Sequence, residues 1–373
     1  MAFVSHRSLF FVLLISAAAS LAVWAADPPD TLTLTDGERL TGKLVRVVGT
    51  SVTFHSDAVG DVTVDWSKVK ELTTSGKFAV IPKGFAFKRN ETDGRIPVGS
   101  VSVTDQKIQV SPGNGAALQT FETGKTGYVV EQGEYEKARK NPSFVEDWKG
   151  SMTAGVSLIE ATQTSETLTG AVHLARAIPA EDWLAARNRT LINFTASYGK
   201  LDQPNTPEIK TDLLHFDAER DEYFSARAYF LGQAAFDHNF SQGLDLQQTY
   251  SGGAGWTVMK SDAQTLDLKA TASYINQKFS VSSNDKDLVG SIFNESYHRK
   301  LPLGIVFDQQ ITFTPAWNNT SAYAAAGGAG ITMALYKRLS LNLSLLDTFL
   351  NDPPPGFKKN SFQFTTGVSY TLP

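Results

Sequence analysis

The stretch Leu244–Gln277, LDLQQTYSGGAGWTVMKSDAQTLDLKATASYINQ, decides the fold. Leu244, Leu246, Gln248, Tyr250, Gly252, Ala254, Trp256 and Val258 alternate with Asp245, Gln247, Thr249, Ser251, Gly253 and Gly255. Successive side chains of a strand point to opposite faces, so this run reads as a strand with one apolar and one polar face. After the short connection Met259–Ala263, Leu266, Leu268, Ala270, Ala272 and Tyr274 oppose Asp267, Lys269, Thr271 and Ser273. Two such runs make an antiparallel hairpin, and both exceed the roughly 5–6 residues usual for strands of soluble domains.

The pattern extends in both directions. Leu339, Leu341, Leu343 and Leu345 oppose Ser340, Asn342 and Ser344. Phe362, Phe364, Val368, Tyr370 and Leu372 oppose Gln363, Thr365, Gly367, Ser369 and Thr371. Runs centre near Ala154, Val172, Phe194, Leu213, Ala228, Tyr250, Ala270, Phe293, Ile311, Gly328, Leu343 and Thr366. Shared among these, the segment 150–373 allows about 19 residues per strand and connection, which suits transmembrane strands of about 9–11 residues with extensions and loops. The polar face, rich in Gly, Ser, Thr, Gln and Asn, fits a wet lumen better than the close-packed interior of a soluble sandwich. Trp256, Tyr274, Trp317, Tyr336, Phe349 and Tyr370 lie near strand ends, where an interfacial girdle needs rings. The expected fold is all-β: a transmembrane antiparallel barrel of about twelve strands, within a range of roughly ten to fourteen, over 150–373. With the C-terminus in the periplasm, Met259–Ala263, Arg299–Pro302 and Tyr336–Arg338 form short periplasmic turns. Lys200–Pro207, Phe279–Asp285 and Asn351–Lys358 then face outward.

Ahead of the barrel, residues 1–25 read as a signal peptide. His6 and Arg7 precede the apolar Leu9–Ala19, and Val23-Trp24-Ala25 offers a cleavage site before Ala26. Two small SH3-like or Sm-like β modules are expected over 27–75 and 76–130. Asp36-Gly37 precedes Gly42-Lys43-Leu44 at the spacing at which Asp93-Gly94 precedes Gly99-Ser100-Val101, a weak internal repeat. The linker 131–149 carries a short helix, Glu134–Lys140, stopped by Asn141-Pro142.

Composition narrows the chemistry. The 373 residues include no cysteine, which excludes disulfides, thiolate metal sites, a cysteine nucleophile and a lipidated cysteine. The net charge of −4 leaves no basic footprint, so no nucleic-acid partner is expected. His6, His55, His173, His215, His238 and His298 show no metal-ligand spacing, and no G-x-S-x-G is present. Gly327–Gly330 lacks the lysine and helix of a phosphate loop. No catalytic, metal or cofactor residue is therefore assigned, and no enzyme is expected. Arg227, Asp245, Asp267, Lys269 and Asp308 fall on polar faces and are the candidate lumen charges. They either tune ion selectivity or pair with one another as a plug.

The terminal Thr365-x-Gly367-x-x-Tyr370-x-Leu372 resembles the β-signal read by bacterial barrel-assembly machinery, although Leu372 and Pro373 follow the aromatic residue. Asp147-Trp148-Lys149-Gly150, the central Phe230–Trp256 and the closing Phe357–Leu372 together resemble the YdiY-like family of salt-induced outer-membrane proteins, whose barrel domain has no assigned function. That resemblance spans about residues 148–372 and implies an outer-membrane location, while the salt label implies a context of expression. It carries over no catalytic residue. The expected function is a narrow channel for ions or small solutes, or an envelope-stress component. The alternative is a non-conducting structural or docking protein whose periplasmic modules bind peptidoglycan or a periplasmic protein, and an outer-membrane hydrolase ranks last. Outer-membrane lipid and the barrel-assembly machinery are the other expected partners.

Overall fold

A computed structural model describes residues 28–85, 96–113, 117–140, 142–160, 164–181, 183–202, 209–261, 263–356 and 359–372. The expected signal segment lies outside them. The chain divides into two compact units, one ending at Glu136 and one beginning at Lys137.

The first unit is built from two matching halves. One comprises β1 (Asp30–Leu34), β2 (Arg39–Val48), β3 (Ser51–Ser56), β4 (Gly60–Asp65) and β5 (Val69–Thr73). The other comprises β6 (Phe78–Pro82), β7 (Val98–Thr104), β8 (Lys107–Ser111), β9 (Gln119–Glu122) and β10 (Thr126–Glu131). Each half places a short 3-10 turn before its fifth strand. The halves do not close separately. They form one six-stranded ring, β1-β5-β7-β6-β10-β2, which β1–β2 pairing completes. A half alone is too small to bury an adequate core. Leu32, Phe54 and Leu72 of the first half and Val80, Val101 and Ile108 of the second instead share a single cluster. Of the repeat in the sequence, Gly42 and Gly99 fall at matching places in the two halves, while Asp93-Gly94 lies outside the described residues. A Cβ on Gly42 would sit 1.9 Å from the His55 carbonyl oxygen, and one on Gly99 would sit 2.1 Å from that of Ser111. Both halves thus need glycine where the next strand presses in. Asp65 caps the first 3-10 turn, and the Ser67 backbone N–H and hydroxyl hold its carboxyl below the ordinary carboxylate range.

Helix α1 (Gln132–Arg139) ends just ahead of Pro142 and leads toward the barrel. The strands of the barrel are β11 (Trp148–Glu160), β12 (Thr164–Ile178), β13 (Asn188–Asp202), β14 (Ile209–Tyr223), β15 (Ala228–Asn239) and β16 (Leu244–Lys260). They continue with β17 (Gln264–Phe279), β18 (Lys286–Lys300), β19 (Ile305–Thr314), β20 (Ala324–Tyr336), β21 (Leu339–Leu350) and β22 (Asn360–Thr371). The twelve form a closed antiparallel barrel. Each centre read from the sequence falls within one of them. The seam runs from Ser151 opposite Thr371 to Ala154 opposite Val368, with the Thr153 and Ser369 hydroxyls 2.6 Å apart. A 15-residue strand such as β18 spans about 50 Å, and tilted by about 40° it still crosses the roughly 30 Å of a bilayer's hydrocarbon core.

Residues paired across strands share a face, so the register separates outside from inside. Leu268, Tyr274, Phe293, Ile311, Phe362 and Val368 project outward and are 42–66% exposed, an apolar belt. Within β16 the period of two slips twice. Bulges between Leu244 and Leu246 and between Thr257 and Met259 each insert a residue, so Leu244 turns inward instead of joining Leu246 outside. Connections alternate between the two ends. Residues 179–187, 224–227, 261–263, 301–304 and 337–338 lie at the end where the chain enters β11 and leaves β22. The far end holds 240–243, 280–285, 315–323 and, among the described residues of the last connection, 351–356. The segment 179–187 makes one long connection at the otherwise short end.

Candidate functional site: the barrel lumen

One wall of the lumen, β13–β17, is cross-linked by charge. Arg189 of β13 donates from Nε to Asp221 of β14 at 2.7 Å and from Nη1 to Asp267 of β17 at 3.3 Å. Its Nη2 reaches the Tyr229 hydroxyl at 3.3 Å. Asp267 also accepts the Thr257 hydroxyl at 2.5 Å. Lys269 of β17 holds both carboxylate oxygens of Glu219 on β14, at 2.5 and 2.8 Å. Asp221 and Glu219 are only 0% and 3% exposed, and each faces a basic side chain that offsets the cost of burying a carboxylate. Tyr229 is fully buried across Gly255, where a Cβ would meet the ring at 2.3 Å. These bonds run as chords from β13 and β14 to β17.

Nearer the far end, a belt of hydrogen bonds crosses six strands. His173 of β12 meets Asn193 of β13 at 3.1 Å, and Asn193 donates to the Asp217 carboxylate at 3.1 Å. His215 stands between Asp217 at 2.9 Å and Asp237 of β15 at 2.6 Å. Gln247 of β16 donates to Asp237 at 3.0 Å and accepts from Gln277 of β17 at 2.8 Å. The register brings these residues side by side on the inner face, and the carboxylates and amides then find one another without leaving their strands.

The opposite wall is built differently. The inner faces of β19–β22 present Gln310, Thr312, Ala326, Gly328, Gly330, Thr332, Asn342, Ser344, Leu346, Gln363 and Thr365. All of these are half-buried or exposed. Asn342 bonds Thr332 at 3.0 Å, and Asn294 of the adjoining β18 bonds Thr312 at 2.9 Å. A Cβ added at Gly328 or Gly330 would find its nearest neighbour at 3.5 or 3.7 Å, so this wall has room. Small neutral side chains are left accessible here, whereas Glu219, Asp221 and Asp267 of the charged wall are buried.

At the far end an apolar cap covers part of the mouth. Leu244 and Phe279 pack with Leu350 and Ala324, and Ile275 and Leu288 pack with Ala316 and Ala322 of the 315–323 connection. Lys286 bonds the Asp352 carboxylate at 2.7 Å and lies 5.7 Å from the centre of the Phe279 ring. Asp285, in the connection between β17 and β18, accepts the Phe279 N–H at 2.9 Å and the Lys278 ammonium at 3.0 Å. Those bonds hold its carboxyl below the ordinary carboxylate value.

Of the residues singled out in the sequence, the structure brings Asp267 and Lys269 into the charged wall. Asp308 stands on the inner face of β19, exposed, with His298 at 2.7 Å. Asp245 sits at the bulge on the far rim and accepts the Ser280 hydroxyl at 2.8 Å. Arg227 is a correction. It lies exposed in the 224–227 turn and not on an inward strand face, because the Ser225 hydroxyl takes the N–H groups of Arg227 and Ala228 at 3.3 and 2.8 Å and delays β15 to Ala228. Thr365 faces inward, Tyr370 is outward and 41% exposed, and the Leu372 N–H bonds the Gly150 carbonyl at 2.9 Å. Gly367 lies in the seam, where a Cβ would come 2.5 Å from the Ala154 carbonyl oxygen. Sequence reading missed Arg189, Glu219, Asp221, His215 and Asp237. The alternation His215, Asp217, Glu219, Asp221 along one strand face was the available signal. Among the described residues no group of three or more metal-ligating side chains is placed to hold a metal ion.

Solved structures that overlap this chain are barrels. The NanC porin shares 8% identity over 60% of this chain and 100% of its own, with a TM-score of 0.37. The COG4313 outer membrane channel from Pseudomonas putida F1 shares 11% over 62% of this chain and 99% of its own, at 0.38. The CymD monoaromatic hydrocarbon channel shares 9% over 79% and 88%, at 0.31. Overlap at this level carries no argument about what the chain does. No curated protein matches the sequence. One family does, described as a protein of unknown function, DUF481, and it covers residues 152–372, the whole barrel but its first strand's opening residues. The chain belongs to the DUF481 family.

Proposed function

We propose that this protein is an outer-membrane channel, narrow and cation-preferring, in which water and small solutes pass along β19–β22 while the β13–β17 wall acts as a fixed buttress. The unequal burial of the two walls carries this reading. Asp217, Glu219, Asp221, Thr249, Thr257, Asp267, Ser273 and Gln277 are buried on one side, while Asp308, Gln310, Gly330, Asn342 and Ser344 stay accessible on the other. A twelve-stranded barrel lies between the filled eight-stranded kind and the open porins, so cross-links on one side leave space on the other. Among the described inner-face residues between the rims, the carboxylates of Asp217, Glu219, Asp221, Asp237, Asp267 and Asp308 outnumber the charges of Arg189, Lys269 and Lys286. A negative lining favours cations. The short connections support a periplasmic orientation for the end where the chain enters, with the amino-terminal unit on that side. Gly367 in the seam is consistent with a terminal strand read by the assembly machinery.

The purified protein should give small, cation-selective current steps in planar bilayers. A folded, heat-modifiable protein that stays silent would overturn the channel. A second reading, docking to peptidoglycan or a periplasmic protein, is favoured by free edges beside the ring, since among the described residues β4 pairs only with β3 and β9 only with β8. Silent bilayers together with peptidoglycan co-sedimentation by the full chain would support it.

A further inference from the structure

Residues 142–147 lead into β11 along the short-connection end of the barrel, and they are held there firmly. Arg176, on the outward face of β12 and 7% exposed, donates from Nε to the Glu146 carbonyl at 2.8 Å. Its Nη2 reaches the carbonyls of Ser143 at 2.6 Å and Pro142 at 3.2 Å. The Ser143 N–H bonds the Glu146 carboxylate at 2.7 Å, and the Glu146 N–H returns to the Ser143 carbonyl at 3.1 Å. The result is a closed turn with Phe144 and Val145 at its tip.

Those two side chains are 74% and 81% exposed, although the turn that carries them is pinned. The Phe144 ring meets Trp148 edge to face with centroids 6.1 Å apart, and Trp148 Nε1 donates to the Phe144 carbonyl at 2.8 Å. Trp148 shares the outward face of β11 with Met152 and Val156, themselves 48% and 75% exposed. A fixed turn that presents large apolar groups, continuous with the lipid-facing belt and ending in a tryptophan, has the chemistry of an interfacial anchor.

We propose that Phe144, Val145 and Trp148 form a finger that inserts among the lipids of the leaflet at the short-connection end. The finger extends the barrel's outer belt beyond its strands and ties the linker to the membrane surface. Lipid is the occupant because the finger continues a surface already facing lipid and the carbonyls of Pro142, Ser143, Phe144 and Glu146 are taken up by Arg176 and Trp148. The inference rests on the reading of the barrel as membrane-spanning.

The chain has no cysteine, so single labels are clean. Val145→Cys, Phe293→Cys on the outer belt and Val59→Cys on the amino-terminal unit would each carry a nitrobenzoxadiazole fluorophore. The full-length protein would be placed in nanodiscs of phosphatidylethanolamine and phosphatidylglycerol. The label at 145 should lose most of its emission to a nitroxide near the lipid headgroup and less to one at mid-chain. The label at 293 should respond to lipid nitroxides, and that at 59 only to aqueous iodide. If 145 behaves like 59 while 293 responds to lipid, the finger is wrong and the barrel reading stands. If neither 145 nor 293 responds to lipid, the membrane reading fails and the finger falls with it.

Discussion

On the β13–β17 side of the lumen, Arg189 and Lys269 end on the buried carboxylates of Asp221, Asp267 and Glu219. On the β19–β22 side, Asp308 and Gln310 stand exposed among Gly, Ala, Ser and Thr. Both walls largely follow the same alternation of apolar outside and polar inside, with Leu346 an inward exception on the open wall. The difference lies in reach. Long charged side chains bridge several strands and fill the space before them, whereas glycine, serine and threonine satisfy a polar face without occupying the lumen. A period of two therefore specifies a barrel, and the size of the inward residues specifies where it is open.

The largest effect is expected from closing the open wall. Gly330→Phe adds a ring where a Cβ has 3.7 Å of clearance, so the barrel should fold and the single-channel current should fall several-fold. An unchanged current would move the passage elsewhere. Breaking the charged wall should do the reverse. Glu219→Gln leaves the Lys269 ammonium, in a side chain 14% exposed, without its counter-charge, at a cost of about 3 kcal/mol, read as a lower unfolding midpoint in detergent with conductance largely kept. A smaller effect follows at Asp308, the exposed carboxylate of the open wall. Asp308→Asn should shift the reversal potential in a salt gradient toward lower cation preference, while Asp221→Asn should shift it less.

The smallest effect concerns pH. The Phe279 N–H and the Lys278 ammonium hold Asp285 below its ordinary value of 3.8. A carboxyl depressed by folding stabilises the native state above its unfolded value, and that contribution is lost as pH falls through the folded one. Acidification below 3.8 should thus loosen the far cap, seen as noisier current, and Asp285→Asn should show the noise already at neutral pH.

Much of this was legible in residue order. Leu266 to Tyr274 alternate without a break, and twelve such runs correspond to twelve strands. The repeated glycines Gly42 and Gly99 announced the duplicated amino-terminal unit, but not that its halves close one ring, because β5–β7 and β10–β2 pairing depends on which edges remain free. Leu244 and Arg227 were misplaced by a bulge and by a serine-capped turn, local events that an alternating pattern does not register. The division of the lumen was hidden for another reason. Arg189 and Asp267 are 78 residues apart, and only the strand register brings them together.

The division into walls can be measured directly by thiol accessibility. Ser344→Cys on β21 and Ser273→Cys on β17 both replace inward serines, the first half-exposed and the second 5% exposed. In planar bilayers, a small water-soluble methanethiosulfonate should modify the cysteine at 344 rapidly and reduce the current. It should leave the cysteine at 273 unmodified on the same timescale. Equal rates at both positions, or faster modification at 273, would contradict a passage confined to the β19–β22 wall.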